Sequence, residues 1–269
     1  MKIIGAAASD DTSLPLDGPR GFSTAGLRHL HFIDGSDTTN IIANYGSAGG
    51  TTGVVNGASG HSSAALLANG GIRLRGNTYL PIAAEIDVTL PFTFMWHGTV
   101  DIPTSHDSVT TWVSPILATD QYTARGFTVY ATKGAVIPSP ADSVVPNFRY
   151  VINSAQQAPA SLSAAAAYQY TEAASWFASL TGTSMQVRGY QSGTQIANFA
   201  TTINTTGMIT NSSAVADPTM KLVAGSPSTV FAEANLMVEC IALYDRILSD
   251  ADCVSMAAAA DQVRAARGR

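Results

Sequence analysis

An apolar run near the C-terminus constrains the fold of this chain more than any other stretch. From Leu236 to Tyr244, every residue except Glu239 is apolar or cysteine. A run of this length between turn residues is typical of a strand that is buried on both faces. Directly after it, Ser249 can cap a helix whose first turn carries Asp250 and Asp252, where negative charge is stabilising. The sequence therefore predicts a central strand followed by a C-terminal helix.

Composition narrows the class of protein. Charged residues make up only 12% of the 269 residues, and the net charge is −5. Few charges with many small and β-branched residues favour a globular, β-rich chain over a disordered one. No basic cluster precedes the last few residues, so nucleic acid is not an expected partner. No window is apolar enough for a membrane span, and the first residues are expected to be mature sequence, with no signal peptide.

Several segments resemble the concanavalin A-like jelly-roll domains of the LamG-like family. ALYDRILSDAD (Ala242–Asp252) is similar to the closing signature of these domains, and IRLRGNTYLP (Ile72–Pro81) to an early strand pair. FTFMW (Phe92–Trp96) matches a family strand, and the stretch from Trp176 to Gly193 resembles the family hairpin. The resemblance spans residues 27–258. It implies an all-β sandwich of two antiparallel sheets in a concanavalin A-like jelly roll, with an N-terminal arm and a short C-terminal helix.

Alternation assigns the faces of several strands. Ile72 and Leu74 are expected to face the core, because polar residues alternate with them. Trp96 and Trp176 occupy core positions of the family pattern. The strand of Ile72–Pro81 is expected to turn after Gly76 and to close at Pro81 as a short edge. His29 and His31 flank Leu30, and we expect both imidazoles to point outward into solvent.

The two cysteines are expected to be reduced and buried. Cys240 lies on the predicted inner strand, and Cys253 is placed to contact Leu248 at the start of the helix. Two cysteines cannot form a disulfide framework, and no histidine or cysteine lies near them at zinc-site spacing. A disulfide between them is the alternative.

The first residues differ in composition from the rest. Residues 1–26 contain two prolines and several glycines, with no alternating apolar run that could face a core. We predict that this arm is an assembly element, that residues 27–258 form the jelly-roll domain, and that residues 259–269 are a helical tail. The side chains expected to contact a partner are Asp10, Leu14, Leu16, Arg20 and Phe22.

Two acidic residues match part of a hydrolase motif. Jelly-roll glucanases carry alternating carboxylates on one strand, which face the cleft as nucleophile and acid. Glu85 and Asp87 alternate in this way, but Leu90 stands where the third carboxylate would be. The pair is expected to lie in the connection before the strand that begins at Phe92. With Glu233 and Glu239 as the other possible acids, we predict no catalytic residue and no enzymatic activity.

Binding sites are predicted from loop residues. Sugar rings stack on exposed aromatic side chains, and Trp112, with His106 and Tyr122 nearby in sequence, is the expected carbohydrate site. Some domains of the resembling family bind calcium through loop oxygens, so the turn residues Asp34, Asp101 and Asp107 are candidate calcium ligands. No fixed ligand spacing supports a calcium site, and no other cofactor is expected.

Two functions from different classes fit these observations. In the first, the chain is a non-enzymatic structural protein of a phage-like virion: a decoration, head-fibre or tail component made in the host cytoplasm. Its partners would be other virion proteins, further copies of itself and a cell-surface glycan. In the second, it is a carbohydrate-binding module or lectin domain of a bacterial protein. Both depend on the resemblance, because a fold does not determine function.

Overall fold

The computed structural model shows a two-layer β-sandwich with a helix packed on one layer. It describes residues 21–33, 41–43, 51–52, 55–56, 63–68, 70–100, 111–119, 125–134, 143–152, 155–157, 168–169, 172–210, 216–227 and 234–268.

Strands make up most of the described chain. In chain order they are β1 (Leu27–Phe32), β2 (Ile41–Ala43), β3 (Thr51–Thr52), β4 (Val55–Asn56), β5 (Ser63–Leu66), β6 (Ile72–Gly76), β7 (Thr78–Asp87), β8 (Phe92–Val100), β9 (Thr111–Thr119), β10 (Gly126–Gly134), β11 (Ser143–Ile152), β12 (Ala155–Gln157), β13 (Tyr168–Gln169), β14 (Ala174–Thr181), β15 (Ser184–Gln191), β16 (Thr194–Thr202), β17 (Thr219–Gly225) and β18 (Ala234–Tyr244). Two helices are described, α1 (Thr205–Ile209) and α2 (Asp250–Ala266).

The strands form two large antiparallel sheets. The first, called the helix-side sheet below, has the order β16-β15-β14-β8-β18-β6-β5, and β1 pairs with β18. The second, called the opposite sheet, has the order β12-β11-β10-β9-β17-β7-β4, and β13 pairs with β11. The predicted fold class, an all-β sandwich of two antiparallel sheets with a C-terminal helix, is confirmed. The strand over Leu236–Tyr244 is central, since β18 pairs with β8, β6 and β1.

The main core lies between the sheets. Phe94 and Trp96 of β8 and Trp176 of β14 meet Phe127 and Leu222 from the opposite sheet, and all five side chains are fully buried. The inward-facing positions of β6 and the two core tryptophans are as predicted. The hairpin β14–β15 needs a glycine at position 189, opposite Trp176, because a Cβ there would lie 2.5 Å from the Trp176 ring.

Helix α2 covers the outer face of the helix-side sheet. The predicted cap is present: the Asp252 amide donates to Ser249 Oγ, and the Ser249 amide donates to the Asp252 carboxylate, both at 3.1 Å. Cys253 of the helix packs with Cys240 of β18 and with Leu248 in a second apolar cluster. Both cysteines are buried and unbonded to each other, as predicted. Burial raises the pKa of the Cys240 thiol, and it raises that of Cys253 to about 12.

The end of the N-terminal arm packs onto this helix. Phe22 is buried in the same apolar cluster and meets Phe32 edge to face, with ring centroids 5.4 Å apart. Ser255 of α2 donates a hydrogen bond to the Gly21 carbonyl at 3.1 Å. The expectation that Phe22 faces a partner outside the core is therefore wrong. Asp10, Leu14, Leu16 and Arg20 lie outside the described residues, and the domain boundaries stay predictions.

The structure corrects two further local predictions. His29 and His31 are buried, with nearly parallel rings whose centroids are 6.0 Å apart. They pair with Leu243 and Ile241 of β18, so they face the inter-sheet side while Leu30 faces the helix. Strand β7 continues past Pro81 to Asp87, because β17 pairs with it along most of its length.

Candidate functional site

The side chains predicted to bind carbohydrate or calcium lie outside the part of the chain that the structure describes in full. Trp112 is in β9, where its backbone pairs with Lys133, and its side chain is not among those described. His106, Tyr122, Asp34, Asp101 and Asp107 lie in segments outside the described residues, so their roles stay predictions. Within the described residues, no group of three or more histidine, cysteine, aspartate or glutamate side chains is arranged to hold a metal ion.

A groove opens where the two sheets meet at one end of the sandwich. Its volume is about 270 Å³, and it is called the edge groove here. Strand β7 of the opposite sheet forms one side, and β1 and the end of β18 form the other. The turn between β7 and β8 closes it. Both layers of the fold are therefore needed to build it.

The walls of the edge groove combine apolar and acidic groups. Leu90, Pro91 and Ile86 supply apolar surface, and Leu90 is 60% exposed. Glu85 and Asp87 also line the groove, and because they are two residues apart on β7, both lie on the face of that strand opposite to Ile86. This placement corrects the expectation that the pair lies in a connection: both residues belong to a strand and line a cavity.

Hydrogen bonds hold part of this wall in place. The backbone amide and hydroxyl of Thr89 both donate to Asp87 Oδ1, at 2.9 and 2.6 Å. Across the groove, Arg28 is ion-paired with Asp245 at 3.5 Å, and both side chains are about half exposed.

Burial lowers the pKa of His29, which also lines the groove, and the neighbouring Arg28 charge lowers it further. The imidazole is therefore mostly neutral at neutral pH.

A second polar group lies on the other face of the helix-side sheet, beneath α2. His97 Nδ1 is hydrogen-bonded to Ser175 Oγ at 2.9 Å, and His97 Nε2 lies 3.8 Å from Glu239 and 4.0 Å from Asp261. Arg264 of α2 donates to the Glu239 carboxylate. We call Ser175, His97, Glu239, Asp261 and Arg264 the helix-side cluster.

Burial decides what the helix-side cluster can do. His97 is only 1% exposed, and burial together with the charges of Arg264 and Arg267 lowers its pKa to about 3. The imidazole is therefore neutral, and its contact with Glu239 is not an ion pair at neutral pH. Ser175 is equally enclosed, so no substrate reaches the hydroxyl in this conformation. The cluster joins α2 to the sheet.

Sequence reasoning did not find the helix-side cluster, although one signal was present. Glu239 is the single charged residue in the apolar run of β18, and a buried carboxylate requires a positively charged or hydrogen-bonding partner. The partner, Arg264, is supplied by a helix that crosses the sheet. No spacing in the sequence specifies which turn of that helix meets the strand.

Comparison with known proteins yields structural neighbours only. No protein-family model matches the sequence, and no curated protein is significantly similar to it. A Trypanosoma rangeli sialidase mutant with trans-sialidase activity is 13% identical, with a TM-score of 0.54 over 90% of this chain and 34% of that chain. The same sialidase with the inhibitor DANA gives a TM-score of 0.52 at 13% identity, covering 90% of this chain and 34% of that chain.

A bacterial toxin is a further neighbour. Botulinum neurotoxin type C, whose entry into cells is described as dependent on two ganglioside molecules, has a TM-score of 0.50 at 9% identity. The match covers 88% of this chain and 51% of the toxin chain. At these identities the likeness establishes the fold alone, and this chain spans about a third of the sialidases it matches.

The neighbours correct one prediction and leave another without support. The prediction that the chain is not an enzyme is contradicted, because the sialidase with which it shares its fold is a glycoside hydrolase; at 13% identity the shared fold does not assign that activity to this chain. None of these neighbours is a virion protein, so the phage-particle role has no support from them. In the described residues, neither helix has the length and apolar character that crossing a membrane requires.

Proposed function

We propose that this chain is a lectin-like carbohydrate-binding domain and that the edge groove holds the sugar. The observation that carries the proposal is the mixed lining of the groove, which combines exposed apolar side chains with carboxylates. Pyranose rings present apolar C–H faces as well as hydroxyl groups, and a site for them needs both kinds of contact. The LamG-like resemblance and the glycan-related neighbours support the same function without establishing it.

The size of the groove sets the scale of the ligand. Pockets for drug-sized molecules are usually larger than this cavity of about 270 Å³. The groove therefore suits one sugar unit, with the rest of a glycan extending into solvent. Leu90 and Pro91 would contact the C–H face, and Glu85 and Asp87 would accept hydrogen bonds from hydroxyl groups.

The test is to titrate the whole chain with monosaccharides and to measure binding by calorimetry or ligand-observed NMR. We expect dissociation constants of about millimolar order, because a small groove contacts few ligand atoms. Leu90→Ala should weaken binding about fivefold, since it removes exposed apolar surface from the wall. Val254→Ala is the matched control: Val254 is also a large exposed apolar residue, 46% exposed, but it lies on α2. Equal effects of the two changes, or no binding of any sugar, would reject the proposal.

The placement of Glu85 and Asp87 favours a second candidate function, hydrolysis of a bound glycoside. Glycosidases act through paired carboxyl groups that flank the bond to be cleaved, and the groove brings two onto one strand face. A panel of nitrophenyl glycosides tests this. Product release that disappears in Glu85→Gln would establish hydrolysis, and no release from any glycoside would leave binding as the function.

The virion role stays a separate hypothesis, with glycan adhesion as the shared element. It requires association with further copies or with other particle proteins, through the segment that precedes Gly21. Light scattering of the full chain and of a chain lacking residues 1–20 tests it. A loss of association without a loss of folding would support the role, and a monomer in both cases would count against self-assembly through the arm.

A further inference from the structure

The edge groove has more negative than positive charge. Three carboxylates line it, from Glu85, Asp87 and Asp245, against the single guanidinium of Arg28. Arg28 is already ion-paired with Asp245. The carboxylates of Glu85 and Asp87 have no cation of their own among the lining residues, so a ligand entering the groove meets a negative potential.

The other charged residues near the edge groove leave its electrostatic potential negative. Lys221 of β17 is paired in register with Glu85, and its exposed side chain is not part of the groove lining. Counting it, the carboxylates still outnumber the cations by three to two. His29 contributes little positive charge at neutral pH, because burial and Arg28 lower its pKa.

The hydrogen-bonding groups of the β7 wall also favour a ligand that donates hydrogen bonds. Thr89 occupies only one oxygen of Asp87, Oδ1. An ionised carboxylate is an acceptor only, so the β7 wall offers acceptors and requires a ligand that donates. Hydroxyl and ammonium groups donate, whereas a sugar carboxylate cannot.

We propose that the edge groove selects sugars without an anionic group and prefers an amino sugar to its neutral parent. This inference rests on the proposed function and adds the ligand class. The ammonium group of an amino sugar is attracted to Glu85 and Asp87, whereas the carboxylate of a sialic acid is repelled by them. The selectivity is thus opposite to that suggested by the sialidases and the ganglioside-dependent toxin that share the fold.

The experiment compares three probes on the full chain: glucose, glucosamine with its amine protonated, and N-acetylneuraminic acid. Glucosamine should bind about two- to fivefold more tightly than glucose at low salt, as expected for exposed charge pairs. This advantage should shrink at high salt, because screening acts on exposed charges. N-acetylneuraminic acid should show no binding in the groove.

A charge-neutralising variant assigns the effect to the groove. In Glu85→Gln, the ratio of glucosamine to glucose affinity should fall toward one. Glu172→Gln makes the same change of net charge at an exposed site outside the groove and should leave the ratio unchanged. If N-acetylneuraminic acid binds and Leu90→Ala weakens it, the charge inference fails while the proposed function stands. If no probe binds, the proposed function fails as well.

Discussion

The edge groove and the helix-side cluster contain the same kinds of side chain in opposite surroundings. Each combines an arginine, a histidine and carboxylates. In the helix-side cluster the Arg264–Glu239 pair is enclosed between a helix and a sheet, whereas in the edge groove the Arg28–Asp245 pair is about half exposed. Residue type alone therefore does not mark a binding site. Exposed groups with spare acceptors can meet a ligand, and enclosed ones hold the fold together.

The largest contrast should appear when each arginine is removed. Arg264→Met leaves the enclosed Glu239 carboxylate without its guanidinium, which should cost about 3–5 kcal/mol of unfolding free energy. Arg28→Met breaks an exposed pair and should cost at most about 1 kcal/mol. Urea denaturation measures both. A loss of unfolding free energy in Arg264→Met as small as that in Arg28→Met would mean that the enclosed pair does not anchor α2.

A pH titration of stability separates the two histidines. The pKa of His97 falls from 6.5 to about 3 on folding, so the unfolded chain binds more protons between these values. Stability therefore rises with pH across this window, by at most about 1.4 kcal/mol per pH unit. Asp261, whose pKa is raised by burial, acts in the opposite direction above pH 3.8.

The matched variants are His97→Gln and His29→Gln. Glutamine at position 97 keeps a polar group near Ser175 and Glu239 but does not titrate, so the rise in stability toward pH 6.5 should flatten. His29→Gln should change the slope less, because burial and the Arg28 charge lower the pKa of His29 by less than burial lowers that of His97. Chemical denaturation at several pH values is the measurement, and an unchanged slope in His97→Gln would show that His97 is not the titrating group.

Thiol labelling compares access to the two regions directly. Cys240 of β18 and Cys253 of α2 lie in the apolar layer where the helix meets the sheet, and burial raises the pKa of both thiols. A cysteine introduced as Leu90→Cys stands in the open groove. It should react with a bulky thiol reagent on the order of a hundredfold faster than the native pair, which reacts only after local opening. Rapid labelling of the native cysteines would indicate that α2 detaches easily.

The sequence predicted the framework better than the site. Alternation placed Ile72 and Leu74 in the core, because it follows directly from strand geometry, and the family resemblance placed Trp96 and Trp176 there. The capping residues located the start of α2 for a similar reason, since caps are local. The edge groove depends on β1, β7 and β18 meeting in space. Glu85 and Asp87 were identified as a pair, but only the tertiary fold places them in a cavity.

The same limit explains the error on His29 and His31. A histidine next to an arginine in a short strand resembles an exposed polar position, and alternation alone does not say which face is covered. Helix α2 and the arm residue Phe22 cover the Leu30 face, and the inter-sheet space encloses the imidazoles. To predict which face of a strand is buried, one must therefore know that a helix packs on the outer side of its sheet.

Glu85→Gln, the variant that should change ligand selectivity, is expected to have little effect on the stability of the fold. The Glu85 side chain is exposed, so Glu85→Gln should change the unfolding free energy by no more than about 0.5 kcal/mol. Leu90→Ala should be similarly mild, because its side chain is 60% exposed. Thermal and urea denaturation measure both. A loss of several kcal/mol in Glu85→Gln would show that this carboxylate is structural, and the contrast between the edge groove and the helix-side cluster would then fail, because both would be anchors of the fold.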